Sequence, residues 1–219
     1  MLRLLLASRS PARLATLRAA GVAPLVRVGG VDAGAGLRAA AAARGGRAPV
    51  DAVLVLARAK AEEVVRTLDP AAAGTPEDDA ALLVGCDSML ELDGEVLGKP
   101  ADADDARARW RAMRGRAGVL HTGHWLVDLR PADAGGTGAA VGATSSTVVH
   151  FADLADDEID AYVATGEPLH VAGAFTVDGL GGPYVERIEG DHHGVVGISL
   201  PLVRSLLREV GVAWHALRA

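Results

Sequence analysis

The sequence lacks several features that mark whole classes of protein. Its 219 residues include one cysteine, Cys86, so neither an internal disulfide nor a cysteine-rich zinc site can form. Aromatic residues make up only 3% of the chain, which leaves few side chains that could stack on bases. The formal net charge is −6, whereas a general nucleic-acid binder usually carries a basic face. We therefore expect no nucleic-acid partner.

Long hydrophobic runs are also missing. The longest, at 52–57 and 195–203, are too short or too interrupted by glycine and proline to span a bilayer. The opening apolar stretch is brief and is followed by arginines and a proline, unlike a secretory signal. Half of the residues are nevertheless apolar, which is enough for a sizeable core. These features predict a globular, cytoplasmic protein without a membrane partner.

The first thirteen residues join an apolar strand at 2–7 to the segment SRSPAR at 8–13. Ser10 suits the N-cap of a helix and Pro11 its first turn, and a helical period continues to Gly21. Such a join places backbone N–H groups, the helix dipole, two hydroxyls and two guanidiniums around one volume. It predicts an anion site that suits a phosphate. The alternative is an ordinary capped helix with two solvated arginines.

Stretches rich in alanine and glycine, at 33–47, 71–81 and 131–146, are predicted to be loops or frayed helix ends. Periodicity predicts helices over 50–68, 102–113, 156–165 and 201–210. It predicts strands over 81–86, 118–129 and 144–153, a hairpin over 89–98, and a turn-rich segment up to residue 194. This order indicates an α/β chain with a mixed sheet.

The apolar strand that ends at Cys86 is followed directly by Asp87 and Ser88. Open α/β sheets place reactive groups at the ends of their strands, so Asp87 is the first candidate for a catalytic residue. The alternative is a carboxylate that caps the turn before Met89.

Two lysines are candidates for contacts with phosphate. Lys60 shares a helix face with Leu56 and Val64, so its ammonium either passes the core to reach solvent or is directed at a phosphate. Lys99 follows the hairpin, in the segment GEVLGKP at 94–100. This segment is not a Walker loop, because only three residues separate its first glycine from its Gly-Lys pair, where a Walker loop has four, and a proline follows. Lys99 is therefore either a single cation for a phosphate or a solvated lysine at a turn.

Histidines are poor candidates for metal ligands here. One pair is three residues apart in a strand and should point to opposite faces, and the other pair is adjacent. These pairs are His121 with His124 and His192 with His193. Magnesium prefers oxygen ligands. The available carboxylates are Asp32, Asp87, Glu189 and Asp191.

Taken together, these segments resemble the Maf family of nucleotide pyrophosphatases from residue 4 to about residue 211. Five blocks carry the resemblance, in the family's order. They are 7–13, the helix with Lys60, 85–88, 97–100, and a long stretch from Tyr162 through 166–168 and 172–173 to 190–191 and 195–197. The resemblance implies one Maf-like domain over residues 1–219. It also implies an elongated, mixed-sheet α/β fold, similar to that of inosine triphosphate pyrophosphatases, with a ligand cleft between two lobes.

The resemblance further implies hydrolysis of a nucleoside triphosphate between its α and β phosphates, with Mg²⁺ or Mn²⁺ as the divalent cation. The expected catalytic residues are Asp87, Lys60 and Lys99. The expected substrate-binding residues are Ser8, Ser10, Arg13, Ser88 and Asp178. The expected cation ligands are Asp32 and Asp87. A homodimer is typical of the family. The alternative function is that of a regulator of septum formation, which binds nucleotide without turnover.

The resemblance leaves the base of the substrate open. The branch of the family specific for dTTP and UTP has an arginine, a threonine and a glutamine at positions that match Ala12, Ser88 and Asp178, and this chain has none of them. Residues 169–170 and Asp178 look closer to the branch that acts on 7-methyl-GTP. Several motifs look most like those of actinobacterial members, which are described as nucleoside triphosphate pyrophosphatases.

Overall fold

The computed structural model describes residues 2–30, 49–68 and 79–218. The strand β1 (Leu4–Ala7) leads into the helix α1 (Pro11–Ala19), as predicted. Ser10 caps this helix, because its side chain accepts a hydrogen bond from the backbone N–H of Arg13 at 3.4 Å. The loop predicted at 33–47, most of the one predicted at 71–81, and Asp32 lie outside the described residues.

Further helices and strands follow along the chain. The helices are α2 (Pro49–Arg66), α3 (Ala103–Met113), α4 (Asp156–Ala164), α5 (His192–Val196) and α6 (Leu200–Glu209). The strands are β2 (Leu25–Val26), β3 (Leu82–Leu92), β4 (Glu95–Leu97), β5 (Ala117–Asp128), β6 (Ala140–Phe151) and β7 (Val185–Glu189). Within the described ranges, no helix has both the length and the apolar character that crossing a bilayer requires.

Over the described residues, seven strands form one mixed sheet. Its order is β2-β1-β3-β5-β6-β7, and β4 is paired to β3 beside this path. Strand β1 runs parallel to β2 and β3, and the other pairs are antiparallel. The prediction of a mixed α/β fold is confirmed.

The sheet is larger than the sequence pattern indicates. Strand β3 continues to Leu92, so Asp87 lies inside a strand and not at its end. The loop predicted at 131–146 is wrong in its second half, because β6 begins at Ala140 and pairs with β5 as far as His150. The pattern also misses the short strands β2 and β7. The predicted hairpin is confirmed, with Asp93 and Gly94 at its turn in the left-handed conformation.

Successive residues of β3 point to opposite faces of the sheet. On one face, Gly85 lies against Ala57 and Ala61 of α2. The other face carries two hydrophobic clusters. The first, the α6 cluster, includes Leu82, Val84, Cys86, Leu126, Leu206 and Leu207. The second, the Trp110 cluster, includes Leu90, Leu92, Trp110, Leu120, Phe151 and Tyr162.

Helix α2 packs against the centre of the sheet at very short distances. A Cβ atom at Gly85 would lie 2.6 Å from the carbonyl oxygen of Ala57, and one at Gly123 would lie 2.4 Å from that of Val53. Only glycine leaves room for the helix backbone at these two positions. This close approach brings Lys60, on α2, to the middle of β3.

Candidate active site

A gap in the sheet edge lies beside the middle of β3. Strand β1 pairs with β3 as far as Gly85, and β4 pairs with β3 from Leu90 onwards. Strand β5 occupies the opposite edge, so β1 and β4 lie on the same edge of β3. Between them, residues 86–89 of β3 have no partner strand on this edge within the described residues. Asp87 and Ser88 lie in this gap.

On the face towards α2, the structure brings Asp87 and Lys60 together. The Nζ of Lys60 donates to Oδ1 of Asp87 in an ion pair. Asp87 is only 6% exposed, and a carboxylate in such a position is costly unless a cation compensates it. The Lys60 side chain keeps 20% of its surface exposed, so it is only partly buried. The second oxygen of Asp87, Oδ2, forms no hydrogen bond with the described residues.

On the opposite face, Arg13 reaches from α1 to both sides of Asp87. Its Nη1 donates to the carbonyl oxygen of Cys86 and to Oγ of Ser8, each at 3.0 Å. Its Nη2 donates to Oγ of Ser88 at 3.0 Å. Its Nε donates to the carbonyl oxygen of Gly197 at 2.7 Å. The predicted residues Ser8, Arg13 and Ser88 therefore form one hydrogen-bonded cluster.

Thr122, on β5, extends this cluster and was not expected from the sequence. Its hydroxyl donates to the carbonyl oxygen of Gly194 at 2.8 Å and lies 2.9 Å from Oγ of Ser88. Thr122 has no solvent exposure. A threonine inside a strand is common, so no sequence signal distinguished this one.

His124, also on β5, is fully buried and uses both ring nitrogens. Its Nδ1–H donates to the carbonyl oxygen of Thr122 at 3.0 Å, and its Nε2 accepts from the N–H of Ser199 at 2.8 Å. Burial, together with the nearby cation of Arg13, lowers the pKa of His124 from 6.5 to about 4. The imidazole is therefore neutral at neutral pH.

Of the other predicted site residues, Ser10 contacts this cluster, because its N–H donates to Oγ of Ser8 at 3.2 Å, whereas Lys99 does not. Lys99 is exposed just after β4, and its side chain contacts none of the described residues through a hydrogen bond or ion pair. The preceding carbonyl, of Gly98, accepts from Arg109 at 2.7 Å and from the N–H of Gly173 at 3.0 Å. Ser10 caps α1 and is half-buried. Asp32 lies outside the described residues.

Asp178 lies exposed in a turn at 176–181 that a single carboxylate holds in place. Glu167 accepts hydrogen bonds from the hydroxyl of Thr176 at 2.5 Å and from the N–H groups of Leu180 and Gly181 at 3.0 Å. Burial alone would raise the pKa of Glu167, but these hydrogen bonds outweigh it and lower the pKa. The turn that carries Asp178 is therefore held by an ionised group.

The carboxylates near the site do not form a complete set of ligands for a metal ion. Within the described part of the chain, no group of three or more His, Cys, Asp or Glu side chains is arranged to hold a metal ion. Glu189 pairs with His150 and Arg187, and Asp191 caps α5. Magnesium is commonly bound by one or two carboxylates together with phosphate oxygens, so a cation at Asp87 would need further ligands from the substrate.

Comparisons with known proteins bear on the family of this chain. The family described as Maf-like protein matches residues 3–210. A "Nucleoside triphosphate pyrophosphatase" of Streptomyces coelicolor is 53% identical, over 95% of this chain and 91% of its own. Proteins of the same name from Salinispora tropica and Rhodococcus jostii are 54% and 55% identical, over 96% and 97% of this chain and 85% and 94% of their own.

A solved structure from Mycobacterium abscessus, a "Nucleoside-triphosphatase / dITP/XTP pyrophosphatase", aligns with a TM-score of 0.33 and 18% identity, over 70% of this chain and 74% of that one. That likeness is too weak to bear on the fold. The family match and the relatives identical at more than half of their aligned positions are decisive. The chain therefore belongs to the Maf-like protein family.

Proposed function

We propose that this protein is a nucleoside triphosphate pyrophosphatase, which hydrolyses its substrate to a nucleoside monophosphate and pyrophosphate. Relatives more than 50% identical to it carry that name. The observation that carries the proposal is the ion pair between the partly buried Lys60 and the buried Asp87, beside the gap in β3. It places next to a cation a carboxylate whose Oδ2 forms no hydrogen bond with the described residues.

Asp87 acts as the general base in this proposal. Lys60 holds Oδ1 and so fixes the orientation of the carboxylate, which accepts a proton from the attacking water. A positioned base of this kind typically contributes about 10²- to 10⁴-fold to the rate.

Cations and hydroxyls around the gap bind the triphosphate. Lys60 pairs with Asp87 beside the gap, and Lys99 follows β4 on the same edge of β3. Ser8 and Ser10 precede the N-terminus of α1, where the helix dipole favours an anion. Together these groups stabilise the negative charge that develops on the phosphates during hydrolysis.

Ser88 and Asp178 complete the proposed substrate contacts, and Asp32 and Asp87 are the proposed cation ligands. A bound Mg²⁺ or Mn²⁺ supplies neutralisation of charge on the phosphate oxygens. The proposal places the protein in the cytoplasm as a single Maf-like domain, in the dimer typical of the family. The net charge of −6 supports the absence of a nucleic-acid partner.

Pyrophosphate release tests the proposal. Purified protein is assayed with Mg²⁺ and with Mn²⁺ against common, methylated and deaminated nucleoside triphosphates. Asp87→Asn is measured alongside, with Asp133→Asn as the control, because Asp133 is exposed between β5 and β6. Removing the base should lower the rate about 10²- to 10⁴-fold, and the control should leave it unchanged.

Two results would contradict the proposal in different ways. If Asp87→Asn keeps the wild-type rate, the enzyme has another base. If the wild-type protein binds a nucleoside triphosphate but hydrolyses none of them, the regulator without turnover replaces the enzyme.

A further inference from the structure

Arg13 lies at the site but directs almost all of its guanidinium into the protein. An arginine side chain has five N–H donors, and four of those of Arg13 have protein acceptors at 2.7–3.0 Å. The residue is only 8% exposed. Little of the guanidinium is left to bind a phosphate from solvent.

The acceptors of Arg13 are placed on both sides of Asp87. The carbonyl of Cys86 precedes Asp87 on β3, and the hydroxyl of Ser88 follows it. Arg13 therefore donates hydrogen bonds to both neighbours of the proposed base, on the face of β3 opposite to Lys60.

The same guanidinium ties β3 to two other segments. Oγ of Ser8, at the end of β1, and the carbonyl oxygen of Gly197, after α5, both accept from it. Gly197 has a φ of 124°, and a Cβ there would lie 3.2 Å from Nε of Arg13. The loop after α5 can come this close because residue 197 has no side chain.

A chain of hydroxyl groups with one direction continues from Arg13. The hydroxyl of Thr122 donates its only proton to the carbonyl oxygen of Gly194, so it must accept the hydrogen bond from the hydroxyl of Ser88. Ser88 in turn accepts from Arg13. Each hydroxyl therefore has a single orientation, and the loss of one leaves a buried partner unsatisfied.

We infer that Arg13 is a positioning residue, which holds Asp87 in the gap through Cys86 and Ser88, and that Thr122 completes the same support. In this role Arg13 replaces the direct phosphate contact predicted from the sequence. The inference rests on the proposed function, in which Asp87 is the base.

Replacing Arg13 by lysine distinguishes a role in binding phosphate from a role in positioning Asp87. A lysine still binds phosphate as a point charge, but its single ammonium cannot span acceptors on four different residues as the planar guanidinium does. Arg13→Lys should therefore keep affinity for the nucleotide and lose turnover. Arg18→Lys, an exposed position on the same helix, is the matched control.

The test measures, for each variant, kcat and the Kd of a triphosphate whose α,β-bridging oxygen is replaced by methylene. It also measures amide hydrogen exchange of residues 86–88 in metal-free protein. We expect Arg13→Lys to lower kcat about 100-fold and to change Kd less than about threefold. Thr122→Val should lower kcat about tenfold, and Thr122→Ser should restore it, because serine keeps the hydroxyl. The double variant Arg13→Lys/Thr122→Val should be no slower than Arg13→Lys.

Exchange at residues 86–88 should be faster in Arg13→Lys and Thr122→Val than in the wild type. A weaker Kd with unchanged kcat in Arg13→Lys, or equal kcat in Thr122→Val and Thr122→Ser, would overturn the inference. If Arg13→Lys does not fold, the Thr122 pair decides. If the wild type has no activity, the proposed function fails by itself, and unchanged exchange in these variants would then overturn the inference separately.

Discussion

Gly85→Ala tests whether the packing of α2 on β3 sets the contact between Lys60 and Asp87. Gly85 lies two residues before Asp87 on the same face of β3. A Cβ there would lie 2.6 Å from the carbonyl oxygen of Ala57 and 2.9 Å from Cβ of Ala61. Ala57 offers a backbone atom, which cannot swing aside as a side chain can. The helix that carries Lys60 must therefore move away from the sheet.

The size of the effect follows from these distances. Reaching even a 3.0 Å contact requires the Ala57 oxygen to retreat by 3.0 − 2.6 = 0.4 Å, and reaching 3.4 Å requires 0.8 Å. Overpacking of this kind costs about 1–3 kcal/mol of unfolding free energy. A misplacement of about 1 Å near reacting groups costs up to about 100-fold in rate. We expect a kcat reduced about ten- to 100-fold under conditions where the variant is folded.

Urea titration followed by circular dichroism measures the stability, and pyrophosphate release measures kcat. Gly182→Ala is the control, because its closest new contact would be 3.3 Å and its φ is not in the left-handed region. Adding Ala61→Gly to Gly85→Ala should not rescue the rate, because the Ala57 carbonyl remains in the way. Wild-type stability and kcat in Gly85→Ala, or full rescue by Ala61→Gly, would refute the reasoning.

Substitutions at three further positions probe the site and its supports. Lys60→Met removes the charge beside Asp87 and should lower kcat about 100- to 1,000-fold in the pyrophosphate assay, whereas Lys60→Arg should retain more activity. The folded chain binds fewer protons than the unfolded chain between pH 6.5 and about 4, because the pKa of His124 is lowered to about 4. Stability should therefore fall as the pH drops through this range, by about 3 kcal/mol in urea titrations, and His124→Gln should lack this component. Glu167→Gln loosens the turn that carries Asp178, so KM should rise with kcat nearly unchanged, and an unchanged KM would remove this turn from the substrate site.

Local signals in the sequence account for the parts that were predicted correctly. The strand-to-helix join around Ser10 and Pro11 depends on capping and on a fixed φ, which neighbouring residues determine. Lys60 was a candidate for a functional residue because it lies in the apolar stripe of its own helix. The structure shows that it forms an ion pair with Asp87.

Long-range pairing accounts for the parts that the sequence did not reveal. Asp87 and Ser88 have low strand propensity, so β3 was expected to end before them, yet its antiparallel pairing with β5 runs from Leu82 to Glu91. The support that Arg13 gives to Ser88 joins residues 75 positions apart. No periodicity or motif near either residue encodes that contact.

Strands β3 and β5 each contribute to both hydrophobic clusters. On β3, Leu82 and Val84 belong to the α6 cluster and Leu90 belongs to the Trp110 cluster. On β5, Leu126 belongs to the α6 cluster and Leu120 belongs to the Trp110 cluster. If one cluster unfolded, β3 and β5 would lose their structure, and the other cluster depends on the same two strands. The two halves should therefore lose their structure together, as one cooperative transition on heating, with a calorimetric enthalpy equal to the van't Hoff enthalpy.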